Sequence, residues 1–446
     1  MSKYLLWKLA GMAVLILLLL IPLGMVDGLV SERQAYREQA IASIADGAAG
    51  AQTVSGPVWV LPYQQRVLEP VPNQPGQQRE VWREGSVRML PDTLSVSGRL
   101  NTASRQRGIY RTQVYRTELT LAGQFVLPAN AGLPSDAVLR WGQPYLSVGL
   151  ADVRGIKASP VTSWGGSTAS FAPGARLKAL GSGIHAQLPA YSGAAARVPF
   201  HFKLNLDGMD ALHVLPLGRD SEVSLQSDWQ HPSFSGRFLP DSRNIDAQGF
   251  AARWRTSWFA TNLSERFEQC VSSGECEDFH ATRLGVRLLE PVDVYLQTDR
   301  AVKYGFLFVC LTFCTFFLTE VLKRIAIHPV QYALVGLSLA VFFLLLLSLA
   351  EQWSFALAYA LAASACVLQN AFYASHALGS RWRGLGFAAL LAALYGLLYV
   401  LLRSEDHALL LGALLLFGLL SAVMVLTRKL DWYSLSNSPR LVEEEA

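Results

Sequence analysis

Apolar residues gather at two places in this chain and thin out between them. The first gathering is residues 5–26, and the others are residues 302–321, 330–349, 355–374, 385–402 and 408–426. A hydrocarbon core of about 30 Å is crossed by about 20 apolar residues in helix, so each run predicts a membrane helix. The first run opens with Lys3 and Lys8, as a signal peptide does. Its length, the internal Pro22 and the lack of a small-x-small site before Asp27 predict an uncleaved anchor.

Between the two gatherings the period changes. Residues 31–47 carry Glu32, Arg33, Arg37 and Glu38 among alanines and isoleucines, which predicts a helix continuing out of the membrane. Beyond it, apolar and polar residues alternate. In Phe200-His-Phe-Lys-Leu-Asn-Leu-Asp-Gly208, Phe200, Phe202, Leu204 and Leu206 share one face of a strand. The stretches beginning at Leu94, Glu118 and Glu222 alternate in the same way. So does Phe250 to Trp258, with Phe250, Trp254 and Trp258 on one face. Short strands separated by Gly, Pro and Ser predict an antiparallel sandwich, in one lobe or two. No long helical period occurs between about 50 and 255.

Charge orients this layout. Lys3 and Lys8, Lys323 and Arg324, Arg381 and Arg383, and Arg428 and Lys429 fall on one side if there are six spans. Glu351, Arg403, Glu405 and Asp406 fall on the other. Basic residues stay in the cytoplasm, so both termini are expected there and the large domain outside, in the periplasm of a bacterium. The expected architecture is a polytopic α-helical membrane protein of six transmembrane helices with a large, mainly antiparallel β-sandwich-like periplasmic domain. Its expected parts are an anchor at 1–30, a periplasmic β-rich domain at 31–298, a five-helix membrane bundle at 299–430 and a cytoplasmic tail at 431–446. The net charge of +4, with no basic stripe outside the flanks, speaks against nucleic acid as a partner.

Signatures of catalysis are scarce. The chain contains no Gly-x-Ser-x-Gly, Ser-x-x-Lys, His-Glu-x-x-His or phosphate-binding loop. Gly181-Ser-Gly-Ile-His-Ala186 has dinucleotide-type spacing, but its flanks read as loop and strand. No catalytic residue, metal ligand set or cofactor is expected, and scattered histidines read as structural. Cys310, Cys314 and Cys366 fall in apolar runs, whereas Cys270 and Cys276 lie in the exported region. An oxidising compartment favours a Cys270–Cys276 disulfide closing a tight loop through Gly274. A zinc site on Asp278 and His280 lacks a second ligand cluster. Trp229, His231, Phe234 and Arg237 interleave aromatic and polar groups, as a recognition surface for glycan or protein does, or as a loop plugging the core does. Glu320, Glu351 and Lys303 fall at span ends, and Gln369 with Asn370 forms a polar pair deeper in a span. The pair fits hydrogen bonding between helices or a polar pathway.

Several stretches together resemble the CreD family of bacterial inner-membrane proteins. They include Gly56-Pro-Val-Trp-Val-Leu-Pro-Tyr63, Arg107-Gly-Ile-Tyr-Arg111, Trp229-Gln-His-Pro-Ser-Phe-Ser-Gly236 and Gly249-Phe-Ala-Ala-Arg-Trp254. Glu290-Pro-Val-Asp-Val-Tyr295, Arg300-Ala-Val-Lys-Tyr-Gly305, His328-Pro-Val-Gln-Tyr332, Tyr395-Gly-Leu-Leu-Tyr399 and Asp431-Trp-Tyr433 extend the match along nearly the whole chain. The resemblance implies a role in cell-envelope integrity, expression under a two-component system, and links to colicin tolerance and beta-lactam response. It implies no enzymatic activity. The expected partners are the lipid bilayer and a periplasmic protein or cell-wall glycan. A transporter or channel built on the C-terminal helices is the alternative.

Overall fold

The computed structural model describes residues 3–70, 77–290, 294–323, 328–377, 379–404 and 408–428. Arg324, Glu405, Asp406, Lys429 and the expected tail 431–446 lie outside the described residues. The chain forms two compact units, Met1–Glu38 with Val292–Ala446, and Gln39–Pro291. The expected boundaries at 30/31 and 298/299 both shift, for a local reason. Helix α1 runs unbroken over Lys3–Gly47, so neither helix geometry nor capping marks residue 30. Helix begins again at Val294, ahead of the expected boundary at 298/299.

The sheet unit is built from strands whose alternation is that of the sequence. These are β1 (Gln52–Pro70), β2 (Gln78–Met89), β3 (Thr93–Arg107), β4 (Tyr110–Leu127), β5 (Leu139–Trp141) and β6 (Tyr145–Leu150). There follow β7 (Val161–Trp164), β8 (Ser167–Pro173), β9 (Gly183–Gln187), β10 (Ala196–Met209), β11 (Ala211–Leu215) and β12 (Asp220–Ser227). The last are β13 (Pro232–Gly236), β14 (Ser242–Asp246), β15 (Gly249–Ser257) and, after the short helices α2 (Trp258–Thr261), α3 (Leu263–Ser273) and α4 (Glu277–His280), β16 (Leu284–Leu288). They join in one strip, β13-β16-β11-β1-β6-β9-β8-β7-β10-β4-β3-β12-β15-β14, with β2 and β5 added on β1. Two pairs are parallel, β1 with β11 and β12 with β3; the other described pairs are antiparallel. The strip folds over so that its ends meet. Phe234 of β13 stands edge-on to Phe250 and Trp254 of β15, at 5.7 and 5.8 Å between ring centres. One core runs along the strip, and a second, smaller one packs Leu263 and Phe267 of α3 and Phe279 of α4 with Val58, Val60 and Leu215.

In β10, Phe200, Phe202, Leu204 and Leu206 are buried while His201 and Lys203 are exposed. Each such apolar side chain stabilises the fold by about 1.5–3 kcal/mol through burial. Two local expectations change. Trp258 leaves the strand pattern, because β15 ends at Ser257 and Trp258 opens α2, where it is 40% exposed. The Cys270–Cys276 segment is a helix end and not a free loop. Cys270 sits in the last turn of α3, Gly274 ends it with φ 80°, and Cys276 precedes α4. Positive φ at that cap is why glycine suits the position.

The helical unit contains α1 up to Glu38, then α5 (Val294–Lys303), α6 (Gly305–Lys323), α7 (Pro329–Ala350), α8 (Phe355–Ala377), α9 (Arg381–Arg403) and α10 (Ala408–Thr427). By length and composition, four described helices can cross a membrane: α1, α7, α8 and α9. The bent pair α5 and α6, turned by 44° at its break, makes a fifth if counted as one span. The start of α7 follows its sequence closely. His328 accepts from the Val330 N–H, Gln331 reaches back to the His328 N–H, and Pro329 takes the first turn, where its missing N–H is harmless. Ala358, Ala362 and Cys366, spaced by four on α8, are all buried. Small residues at that spacing let helices approach closely.

Candidate functional site

Three polar clusters stand inside the helical unit. In the first, Lys8 of α1 forms an ion pair with Glu320 of α6, and the Tyr332 hydroxyl of α7 donates to Glu320 Oε2 at 2.8 Å. Glu320 is only 8% exposed. In the second, Arg33 of α1 pairs with Glu351 at 3.6 Å, and the Tyr295 hydroxyl donates to Glu351 at 3.2 Å. Lys8 and Arg33 stand 33 − 8 = 25 residues apart on α1, which is about 37 Å of helix at 1.5 Å per residue. That exceeds a hydrocarbon core of about 30 Å, so one pair brackets each end of the apolar run. The sequence places Glu320 and Glu351 at helix ends, but cross-helix pairing leaves no periodic trace. The available signal is parity: Lys8 and Glu320 share a membrane face when successive helices alternate in direction.

The third cluster joins α7, α8 and α9. Asn370 Nδ2 donates to Ser338 Oγ and to the Cys366 carbonyl, both at 2.8 Å. The Tyr395 hydroxyl donates to Cys366 Sγ at 3.0 Å, and Tyr359 donates to the Tyr395 carbonyl at 2.7 Å. Asn370 is buried, whereas its neighbour Gln369 is exposed, so the two polar residues face different surroundings. This node ties three helices together by hydrogen bonds, which bundles use in the absence of a hydrophobic driving force. Beside it, α8 and α9 leave a groove of about 660 Å³ lined by Ala360, Ser364, Gly396 and Tyr399.

In the sheet unit, Trp229 and Phe234 pack against the core. The Trp229 indole N–H donates to the His231 and Leu289 carbonyls at 3.1 Å each. His231 and Arg237 are exposed. The four residues therefore split, with two aromatics plugging the sandwich end and two polar side chains on its surface. Cys270 and Cys276 are joined by a disulfide, with Cα atoms 4.4 Å apart. Among the described residues no group of three or more His, Cys, Asp or Glu could hold a metal.

The outer face of the sheet holds a different arrangement, which the sequence reading did not single out. Registers place Arg255 opposite Glu222, Glu222 opposite Ser95 and Ser95 opposite Ala122. Strict alternation puts these four on the solvent side of β15, β12, β3 and β4. They line a shallow trough of about 720 Å³ with Thr93 and Asp220. Its floor is small and polar, and Glu222 is held between Arg253 and Arg255.

The buried His213 carries a pH dependence. It is 8% exposed, with Nε2 2.9 Å from Ser235 Oγ. Burial, then the positive charges of Arg283 and Arg287, lower its pKa to about 4. An unfolded chain titrates this group near about 6.5. Between those values the unfolded state holds a proton that the folded state refuses, so stability falls as pH falls through the window. The full loss is on the order of 3 kcal/mol. The expected outcome is that His213→Gln flattens the melting temperature of the sheet unit between pH 6.5 and 4, measured by fluorescence of the full chain against wild type.

Fold and clusters define a membrane protein of apolar helices that carries a large, mainly antiparallel sheet unit in one chain. The model of the family described as "Inner membrane protein CreD" matches residues 4–433. The chain belongs to this family of inner membrane proteins. The inner membrane protein CreD of Escherichia coli (strain K12) is 36% identical over 431 residues, covering 96% of this chain and 94% of that protein. Solved structures give much weaker likeness. A Legionella pneumophila protein described as a candidate nutrient-binding protein has a TM-score of 0.20 at 11% identity, over 48% of this chain and 82% of its own. An M1 zinc metallopeptidase from Deinococcus radiodurans has a TM-score of 0.18 at 9% identity, over 37% and 38%. Neither carries an argument about fold or function.

Proposed function

We propose that this chain crosses the inner membrane six times with both termini in the cytoplasm, and that its sheet unit stands in the periplasm. There it acts without catalysis, as an interaction module supporting cell-envelope integrity. The topology is supported by the basic residues at Lys3, Lys8, Arg381, Arg383 and Arg428, which share one side in a six-span arrangement. The observation that carries the functional reading is the outer-face trough, a concave surface of hydroxyls with an arginine–carboxylate pair. Such a surface suits a polar partner, a periplasmic protein or a cell-wall glycan, held by hydrogen bonds. The setting we propose with it is the one the family resemblance implies: a two-component regulon, colicin tolerance and beta-lactam response.

The test is complementation of envelope defects in a strain lacking the gene. Filling the trough with Ser95→Trp or Ala122→Trp is expected to abolish complementation at unchanged abundance and melting temperature. Full complementation by both variants rejects the trough as the working surface. Reporter fusions at 290 and at the C-terminus check the topology independently.

A second reading, a transporter or channel component using the C-terminal helices, draws on the buried Asn370–Ser338 hydrogen bond. It requires that replacing Gln369 and Asn370 together by Leu abolishes complementation; full rescue removes its basis.

A further inference from the structure

Trp258, which leaves the strand pattern, borders a second concavity in the sheet unit. One wall is a pair of bonded turns. The Arg219 N–H donates to the Pro91 carbonyl at 2.8 Å, and the Asp220 N–H donates to the Asp92 carbonyl at 3.0 Å. The other wall is the chain that leaves β15. It turns through α2, takes a left-handed residue at Asn262 (φ 46°, ψ 34°) and enters α3. Asparagine is among the few side chains enriched in that conformation. Between the walls lies a cavity of about 440 Å³, within the roughly 300–1,000 Å³ of small-molecule sites.

The lining divides by chemistry. Leu217, Leu263 and Phe267 are buried and form an apolar floor. Four charged side chains border it: Arg88, Asp92, Arg219 and Glu268. Each cation has a carboxylate near it but not bonded to it. Arg88 Nη1 stands 3.9 Å from Glu268 Oε2, and Arg219 Nη1 stands 3.9 Å from Asp92 Oδ1. Hydrogen bonds between N–H and oxygen end at about 3.2 Å. Among the described residues none of the four side chains makes a hydrogen bond, and the Arg88 Nε is buried without a partner. A buried donor left unpaired is costly, and native structures contain few. Arg219 lies over the Trp258 ring instead, 5.1 Å from its centre. That attraction holds the guanidinium at the rim without using its N–H groups.

The charges of the rim cancel, two against two. A simple anion brought there meets two carboxylates, and a simple cation meets two guanidiniums. A zwitterion engages both signs at once. Its remainder must be apolar, because the floor offers no polar side chain.

We propose that this cavity binds a free α-amino acid with a large apolar side chain. The α-carboxylate accepts from Arg88 and Arg219 by charge-assisted hydrogen bonds. The α-ammonium donates to Glu268 and Asp92, and the side chain descends to Leu217, Leu263 and Phe267, where it leaves water. A peptide carries its ammonium and its carboxylate on different residues, so it loses this match. The inference stands apart from the trough, with which the cavity shares no lining residue. It also lies wholly within the unit Gln39–Pro291.

The test uses the full chain in detergent and fluorine NMR of fluorophenylalanine, whose signal broadens on binding. L-phenylalanine and L-leucine are expected to compete. Hydrocinnamate lacks the ammonium and phenethylamine lacks the carboxylate, so each is expected to compete at least about tenfold more weakly, having lost hydrogen bonds between charged groups. Arg88→Gln and Arg219→Gln should each weaken binding by about tenfold for the same reason. If Arg88→Gln lowers the melting temperature, Arg219→Gln decides, because that side chain is 59% exposed. Val126→Trp, at a lining position 36% exposed, should fill the cavity and abolish binding with the melting temperature unchanged. Ser95→Trp in the trough should leave binding as in wild type. Absence of broadening with the wild-type chain, competition by hydrocinnamate or phenethylamine as strong as that of phenylalanine, or undiminished binding in Arg219→Gln or Val126→Trp overturns the proposal.

Discussion

Replacing Lys8 by methionine is expected to destabilise the helical unit by about 3–5 kcal/mol, the usual consequence of removing one member of a buried ion pair. The reason is asymmetry. Glu320 is 8% exposed, and the variant takes the Lys8 cation away from a carboxylate that stays where it was. Tyr332 still donates its hydroxyl at 2.8 Å, which softens the loss without replacing the charge. Removing both charges is different. In Lys8→Met with Glu320→Leu, neither ion has to be desolvated, so the double variant is expected to recover most of the lost stability. A thermal melt of the full chain in nanodiscs, read as a double-mutant cycle, gives the coupling between the two positions directly. A coupling below about 0.5 kcal/mol would mean that the pair is solvated rather than buried. The same cycle at Arg33 and Glu351 should return a smaller value, because the Arg33 side chain is 45% exposed and the pair is longer, at 3.6 Å.

The contrast between these pairs and the rest of the molecule shows what a sequence carries openly. Period two in β10 fixed its buried face, because Phe200, Phe202, Leu204 and Leu206 must leave water together. The helix run from Lys3 to Gly47 was equally readable, since residues 31–47 keep a helical composition past the apolar stretch. Pairings distant in sequence were not. Lys8 meets Glu320 only because helices are assembled, and Arg255 meets Glu222 and Ser95 only because β12 lies parallel to β3. Alternation says which residues face water; it does not say which strands are neighbours. The trough is hidden for that reason, although Glu222, Ser95 and Ala122 lie in stretches whose alternation is plain. Trp258 failed differently: the strand period continued through it in sequence, but the chain turned into α2 one residue earlier. The Trp229 and Phe234 segment shows the remaining ambiguity. An aromatic among polar residues reads the same whether it recognises a partner or closes a core, and only the edge-on contacts to Phe250 and Trp254 distinguish the two for Phe234.

Those contacts make Trp254 the position in the sheet unit where substitution should matter most. Trp254 is 1% exposed, and its indole N–H donates to the Phe238 carbonyl at 3.1 Å. It packs beneath β13 at the place where the strip's two ends meet, against Phe234. Trp254→Ala removes the largest side chain at that closure, and truncations of buried aromatics cost about 3–5 kcal/mol. The Phe238 carbonyl loses its donor as well, which adds about 1 kcal/mol if no water replaces it. For a unit of this size each kcal/mol lowers the melting temperature by about 2–4 °C, so a fall on the order of 10 °C is expected. Trp254→Phe keeps most of the volume and loses the hydrogen bond, and should fall by a third or less of that amount. Hydrogen exchange should locate the damage: protection is expected to drop first in β13 and β15 and to persist in β10 and β4, whose core contacts lie farther along the strip. Loss spread evenly over all strands would show that the closure is not a separate element of stability. The neighbours of Trp254 sharpen the comparison, because Arg253 and Arg255 point to the opposite face and border the trough. Arg255→Glu should therefore leave the melting temperature within about 1 °C of wild type, since exposed ion pairs contribute little, while reversing the charge offered to a bound partner. If complementation follows Arg255→Glu and not the melting temperature, the outer face acts through recognition and the inner face through packing, on two sides of one strand.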